Sequence, residues 1–577
     1  MPRTICLNLV FAALLLAGCQ TAPPRRKTDE SAAPASKGAS VRKAEDFSAA
    51  AVERRTEAHA RYATAVLYDW DEEPERAAEE YLKAALADPG NEPLVLEVSE
   101  RLLRLKQNEQ ALRLLTKATA EAGASGALFA RLGLLYSLTG KKELAIEASR
   151  TAIKKMPRAI AGYRHLAQIH FQSGQYDEGL KVLDQAAKQT EVDAGYLTEL
   201  GELYTSFIRP GTADTIKPRA LALFNRAAQL KPANPLLMQR LAEGFSQLGN
   251  NDKAADLYLK LLERFPALPG LREKLIDLYL RQQDRTRAAE QLQQIIRQNP
   301  TQPQAYYVLG RIADEESRQP GKDRAYAEQK LKEAIEYFNK TLLLNPAFEE
   351  GYYYLAGAQI SLNKPQDGLG TLEKIRDKFP QSFRSEFLTG LAYAHMKEYT
   401  NATKHLEGAE IIARATETNW LTHVFYFQLG ASYERIQKYE DAENYFKKCL
   451  ALSPDFSEAL NYLGYMWADR GVHLVEARQM IEKAVKFETQ NAAFLDSLAW
   501  VLFKLDKPQE ALSYLLKAVD NSKEPDSTLY DHLGDIYLSL HEPEKAREAW
   551  RKAISIEPNE QIQKKLGPAV TSRGAPQ

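Results

Sequence analysis
The sequence predicts an all-α fold, a stack of about fourteen short helical repeats. Three observations predict it. The chain repeats itself about every 34 residues, with units starting near 58, 92, 126, 160, 194, 235, 269, 303, 349, 383, 423, 457, 492 and 527. Within the units, apolar residues such as Ala77/Tyr81/Ala84, Ala220/Phe224/Ala227 and Ala254/Tyr258 are spaced four and three apart, so each set shares one helix face. Prolines at 89, 157, 232, 266, 300, 346, 380, 454 and 558 recur where a residue lacking an N–H ends a helix. No segment shows sustained period-two alternation, so strands are not expected.

The repeated residues are specific. Residues 306–346 contain Tyr306, Leu309, Gly310, Ala334, Phe338 and Pro346, and residues 426–454 contain Tyr426, Leu429, Gly430, Tyr433, Ala442, Phe446 and Pro454. Residues 533–558 give Leu533, Gly534, Tyr537, Ala546, Trp550, Ala553 and Pro558. This resembles the tetratricopeptide repeat, a helix–turn–helix unit of the same period. The resemblance implies an α-α superhelix whose concave groove is lined mainly by first helices, a surface that holds other molecules rather than a catalyst. One helix pair cannot bury its apolar face alone. Stacked neighbours bury it, and stability becomes a sum of unit and interface terms. The chain length therefore does not require several globular domains.

Departures from the period are local. Extra residues fall near 207–218 and 314–326, and 411–422 lengthens one junction. They read as tolerated insertions, either longer helices or protruding loops.

From the N-terminus, residues 1–18 read as a lipoprotein signal peptide. Arg3 supplies the charge, residues 4–18 are largely apolar, and the stretch is too short to span a membrane. Its ending, Leu16-Ala17-Gly18-Cys19, resembles the bacterial lipoprotein cleavage site, which implies acylation of Cys19. Gln20 in place of Asp implies the outer membrane by the same resemblance. Residues 19–52 then form the lipidated cysteine and a linker rich in Ala, Pro, Ser, Lys and Arg, too poor in large apolar residues to fold. Residues 53–266 and 267–560 are the N- and C-terminal arrays, and 561–577 a short capping helix and tail.

Charge and chemistry narrow the function classes. Lys and Arg number 76 against 77 Asp and Glu, interspersed, so no basic stripe invites nucleic acid. With Cys6 in the signal and Cys19 lipidated, Cys449 has no internal partner and reads as a packing residue. His165 and His170 carry no metal-protease pattern and read as groove or surface residues. No phosphate loop, paired-cysteine motif or nucleophile elbow occurs. No cofactor, metal or catalytic residue is expected.

The family's groove positions carry the binding expectation. The fifth residue of the first helix is Tyr307, Tyr353, Phe387 and Phe427 in four consecutive units; Tyr465 and Trp500 hold the ninth in later ones. Glu434, Asp496 and Asp531 stand beside them. Aromatic rings with carboxylates suit an extended peptide bearing Lys or Arg; sugar rings could stack on the same faces, and packing between helices is the plain alternative. The Lys/Asn clamp of chaperone-binding repeats is absent, as Tyr62/Val66 and Arg164/Gln168 illustrate. The expected function is a lipid-anchored scaffold for protein partners in the bacterial cell envelope, at the outer membrane facing the periplasm, in outer-membrane or secretion complex assembly. The alternative is an accessory lipoprotein of polysaccharide export that binds glycan or export machinery.

Overall fold
Segments of 11–22 residues, and a last one of six, separated by short turns, fold into helices throughout the computed structural model, which describes residues 48–376 and 378–566. These residues form 29 α-helices and no strand. The signal, Cys19 and most of the linker lie outside the described residues, as does the tail after Leu566. The chain divides into two compact units, ending at Thr190 and starting at Glu191; the expected division at 266/267 falls inside the second. The first unit holds four helix pairs, Ala49–Trp70 with Pro74–Ala87 through Ile160–Gln172 with Tyr176–Ala187. The second holds ten, from Ala194–Ser206 with Ala213–Gln229 to Ser527–Ser539 with Pro543–Ile556, followed by the short helix Glu560–Lys565.

Local chemistry sets the helix ends. First helices tend to open on a side-chain cap: Asp193 accepts from the Tyr196 N–H at 2.7 Å, and Thr422 from the Phe425 N–H at 3.3 Å. The turn inside each pair uses a left-handed residue, which lets the chain reverse within a few residues. Glycine fills it at 140, 174, 249 and 471, but Glu72, Lys106, Gln283, Asn363, Lys397, Gln437, Asp506 and His541 adopt the same conformation, with φ of 58–63°.

Packing within a pair depends on the small residue of the first helix. At Gly310 an added Cβ would stand 2.6 Å from the Phe338 ring, which is wholly buried there. Burying such a ring contributes about 1.5–3 kcal/mol. The same relation joins Gly430 to Phe446.

The insertions are mainly longer helices. In the eighth repeat they extend Pro303–Ser317 and Arg324–Leu344, and in the tenth Tyr399–Ala415. After that helix a 3-10 turn, Thr418–Trp420, leads into the eleventh repeat.

Candidate partner-binding surface
The first helices of the eighth to eleventh repeats are Pro303–Ser317, Glu349–Ser361, Phe383–His395 and His423–Arg435. They carry the aromatic ladder, and the structure divides its members. Tyr307 is only 5% exposed. Its ring packs on Phe348 and Tyr354 at 4.8 and 5.6 Å, and its hydroxyl donates to Glu350 at 3.0 Å. Burial, with the neighbouring tyrosine and Glu350, raises that hydroxyl's pKa. Phe427 packs edge-on to Phe456 and Tyr462. These two rings hold repeats together. Tyr353, 6% exposed, donates to Glu349 at 2.7 Å and lies 2.9 Å from Ser382 Oγ. Burial pushes its hydroxyl up to about 12.

Phe387, half-buried, borders open space. It stacks on Phe383 at 5.5 Å and, with Tyr353, lines a cavity of about 540 Å³. Trp420 and Val424 complete the apolar wall, with Arg384 beside them and the Asp314–Arg318 ion pair, at 2.8 Å, also on the lining. Trp420 is half-buried: its ring stacks on Phe383 at 5.5 Å, and the Arg384 guanidinium lies 4.9 Å from its centre. Val424 is 42% exposed. Phe383, Arg384, Trp420 and Val424 were missed by reading one groove position per repeat. The signal that could have found Trp420 was its place inside the 411–422 insertion.

The remaining expected residues form a polar seam over the eleventh to fourteenth repeats. Glu434 is half-buried, and burial together with the Asp469 carboxylate raises its pKa. The Tyr465 hydroxyl is raised by burial and then by Asp469, Asp496 and Glu434. Trp500 is 7% exposed, stacked on His532 of the next repeat at 4.0 Å and on Phe503 of its own helix at 5.3 Å, and its Nε1 donates to Asp469 at 3.3 Å. His532 Nδ1 bonds Asp496 at 2.8 Å. Asp531 accepts from Lys565 Nζ at 2.7 Å, as Asp535 does, so a lysine of the terminal helix already sits on these carboxylates. Burial lowers the Lys565 pKa, but the two aspartates outweigh it and raise the net value.

Of the two histidines read as groove or surface residues, His170 departs from expectation. His170 is buried and bonds Gln175 at 2.8 Å. His165 Nδ1 lies 2.9 Å from the Ala130 carbonyl, and burial pushes its pKa down to about 4. The His170 ring serves packing among the first unit's helices, whereas His165 is half-buried. Among the described residues no group of three His, Cys, Asp or Glu is placed to hold a metal.

Sequence comparison bears on this architecture. Three family models, each described as a tetratricopeptide repeat, match residues 424–456 and 527–560, 274–321, and 237–267 and 350–382. The chain carries tetratricopeptide repeats. The expected all-α repeat fold is therefore the one observed, and such repeats bind protein partners or peptides. A TPR repeat-containing protein of Pseudomonas aeruginosa is 40% identical over 86 residues, 15% of this chain and 14% of that one. The type IV pilus assembly protein PilF of the same organism is 25% identical over 136 residues, 23% of this chain and 54% of that one. The chain thus spans only part of the length of either relative. Among solved structures, similarity is found to the APC/C hetero-tetramer Cut9-Hcn1 (15% identity, TM-score 0.36, 84% of this chain and 91% of that one). It is also found to yeast Tom70 (15% identity, TM-score 0.31, 82% and 93%). A tetratricopeptide repeat protein of Parabacteroides merdae gives 20% identity and a TM-score of 0.34, over 45% and 98%.

Proposed function
We propose that the tetratricopeptide repeats grip an extended segment of a protein partner on the first-helix surface of the eighth to fourteenth repeats. The observation that carries this is the open cavity walled by Tyr353, Phe387, Trp420 and Val424. It accepts an apolar side chain, while the carboxylates at Glu434 and Asp469 favour Lys or Arg further along the same segment. Many modest contacts along a preformed surface supply affinity without ordering the scaffold.

The scaffold acts in the cell envelope, tethered through lipidated Cys19 at the outer membrane and facing the periplasm, where it assists assembly of an outer-membrane or secretion complex. The lipoprotein-like Leu16-Ala17-Gly18-Cys19 ending supports the tether. The partial similarity to a pilus assembly protein favours an envelope machine, a pilus among them. Polysaccharide binding has weaker support, because Trp500 is covered by His532 and Phe503. The test is photocrosslinking in native cells from positions 420 and 424, with a probe on an exposed residue of a second helix as control. One envelope protein captured at both positions, and absent from the control, supports the reading; adducts only to this chain, or none, overturn it. Loss of a metabolic lipid label in Cys19→Ser tests the tether separately.

A further inference from the structure
The tenth repeat breaks the core pattern that its neighbours keep. In the two repeats before it the paired core positions are Tyr306/Leu309 and Tyr352/Leu355. In the three after it they are Tyr426/Leu429, Leu460/Leu463 and Leu495/Leu498, and all ten side chains are buried. The tenth repeat has Glu386 and Thr389 there, also buried. A carboxylate and a small hydroxyl do not fill the space of two large apolar groups, and a cavity of about 590 Å³ lies beside them. That is within the range of small-ligand sites.

Its lining has an order. Glu386 is 6% exposed and takes one hydrogen bond on each oxygen, from Gln381 and from His405, both at 2.7 Å. An ionised carboxylate offers about four acceptor positions, so acceptor capacity remains. The Thr389 hydroxyl spends its proton on the Ser385 carbonyl at 2.7 Å, leaving an oxygen that only accepts. Glu386 and Thr389 therefore keep unused acceptor positions on this lining. Two exposed cations, Arg376 and Lys404, also line the cavity, and Leu372 and Phe379 contribute apolar wall. A buried charge of this kind is costly unless its hydrogen bonding is completed.

We propose that this cavity is a binding site for a small zwitterion with an apolar side chain, the chemistry of a free apolar amino acid. Its ammonium meets Glu386, its carboxylate meets Arg376 and Lys404, and its side chain lies on Leu372 and Phe379. The site is separate from the first-helix cavity, although the Tyr353 ring borders both.

The test is titration calorimetry on the whole chain with leucine and phenylalanine, alongside N-acetyl-leucine, which lacks the ammonium, and leucinamide, which lacks the carboxylate. Binding of the free amino acids, with both derivatives weaker, is expected. Glu386→Gln keeps the shape and removes the charge, and weakens binding roughly tenfold or more. The double variant Glu386→Leu, Thr389→Leu restores the neighbours' pattern; it melts no lower than the parent and binds nothing. No heat with the parent chain, or equal binding by the parent and the filled variant, overturns the proposal.

Discussion

The imidazole of His532 lies nearly parallel to the indole of Trp500, 16° apart at 4.0 Å between centroids, and its Nδ1 is held by Asp496 at 2.8 Å. Burial disfavours the imidazolium, but Asp496, with Asp531 and Asp535 beyond it, outweighs burial and raises the pKa above its ordinary value. The sign follows by linkage. A group whose folded pKa is raised contributes stability that is complete below the unfolded value of about 6.5 and is lost as pH rises through the folded value. His532→Gln should therefore cost most near pH 6, about 3 kcal/mol for a broken buried pair. Urea unfolding of both chains from pH 5.5 to 9.5 checks it; a gap that widens with pH contradicts the assignment.

Glycine-to-alanine changes separate two kinds of helical glycine. A Cβ at Gly534 would collide with the Trp550 ring, whereas one at Gly370 meets nothing within 4 Å. Gly370→Ala should stabilise by about 0.5–1 kcal/mol through helix propensity. Gly534→Ala should lose about 1–3 kcal/mol through overpacking. Equal shifts in the two denaturation midpoints would refute the packing argument.

The Asn461 amide oxygen is buried with no hydrogen-bond partner among the described residues. An unpaired buried polar group costs about 1–3 kcal/mol. Asn461→Leu should raise the melting temperature by the corresponding amount; a lower one would mean that the amide has a partner in solution.

Val424→Asp places a charge on the apolar wall of the first-helix cavity without disturbing a buried ring. Stability should stay within about 0.5 kcal/mol, as for most surface substitutions. Capture of the partner from position 420 should fall about tenfold, the effect of roughly 1.4 kcal/mol. Unchanged capture would place the partner elsewhere.

Cys449 is wholly buried, and burial pushes its thiol up to about 11. At pH 8 the native chain should leave its peptide almost unlabelled by a maleimide, and denaturant should expose it to full labelling. Peptide mass spectrometry reads both states, and rapid native labelling would show that the repeat opens locally.

The fold was legible because its period is written in residues that packing dictates. Gly310 and Phe338 must be small and large where the two helices meet, so the pattern survives in sequence. First-helix starts at 303, 349, 383, 423, 457, 492 and 527 agree with the observed helices for the same reason. The candidate surface was less legible. Position within a repeat says which way a residue faces, not whether a neighbouring repeat covers it. Tyr307 and Trp500 hold the expected positions in their helices yet are covered by Tyr354 and His532. Trp420 belongs to no repeat position, and Glu386 is recognisable only as a missing apolar residue. The turn residues were half-visible, since Gly140 announces a left-handed conformation and Lys397 does not.

Those turns have a mechanical consequence. A side chain in the left-handed region carries a penalty of about 1–2 kcal/mol that glycine escapes. It falls where the chain reverses inside a pair, as at Lys397 and Gln437. In a linear array each such increment belongs to one repeat and its immediate neighbours. Under an end-to-end pull, the strained reversals are the points where unravelling is easiest to begin. The order in which repeats yield to force is then biased by residues outside the proposed partner surface.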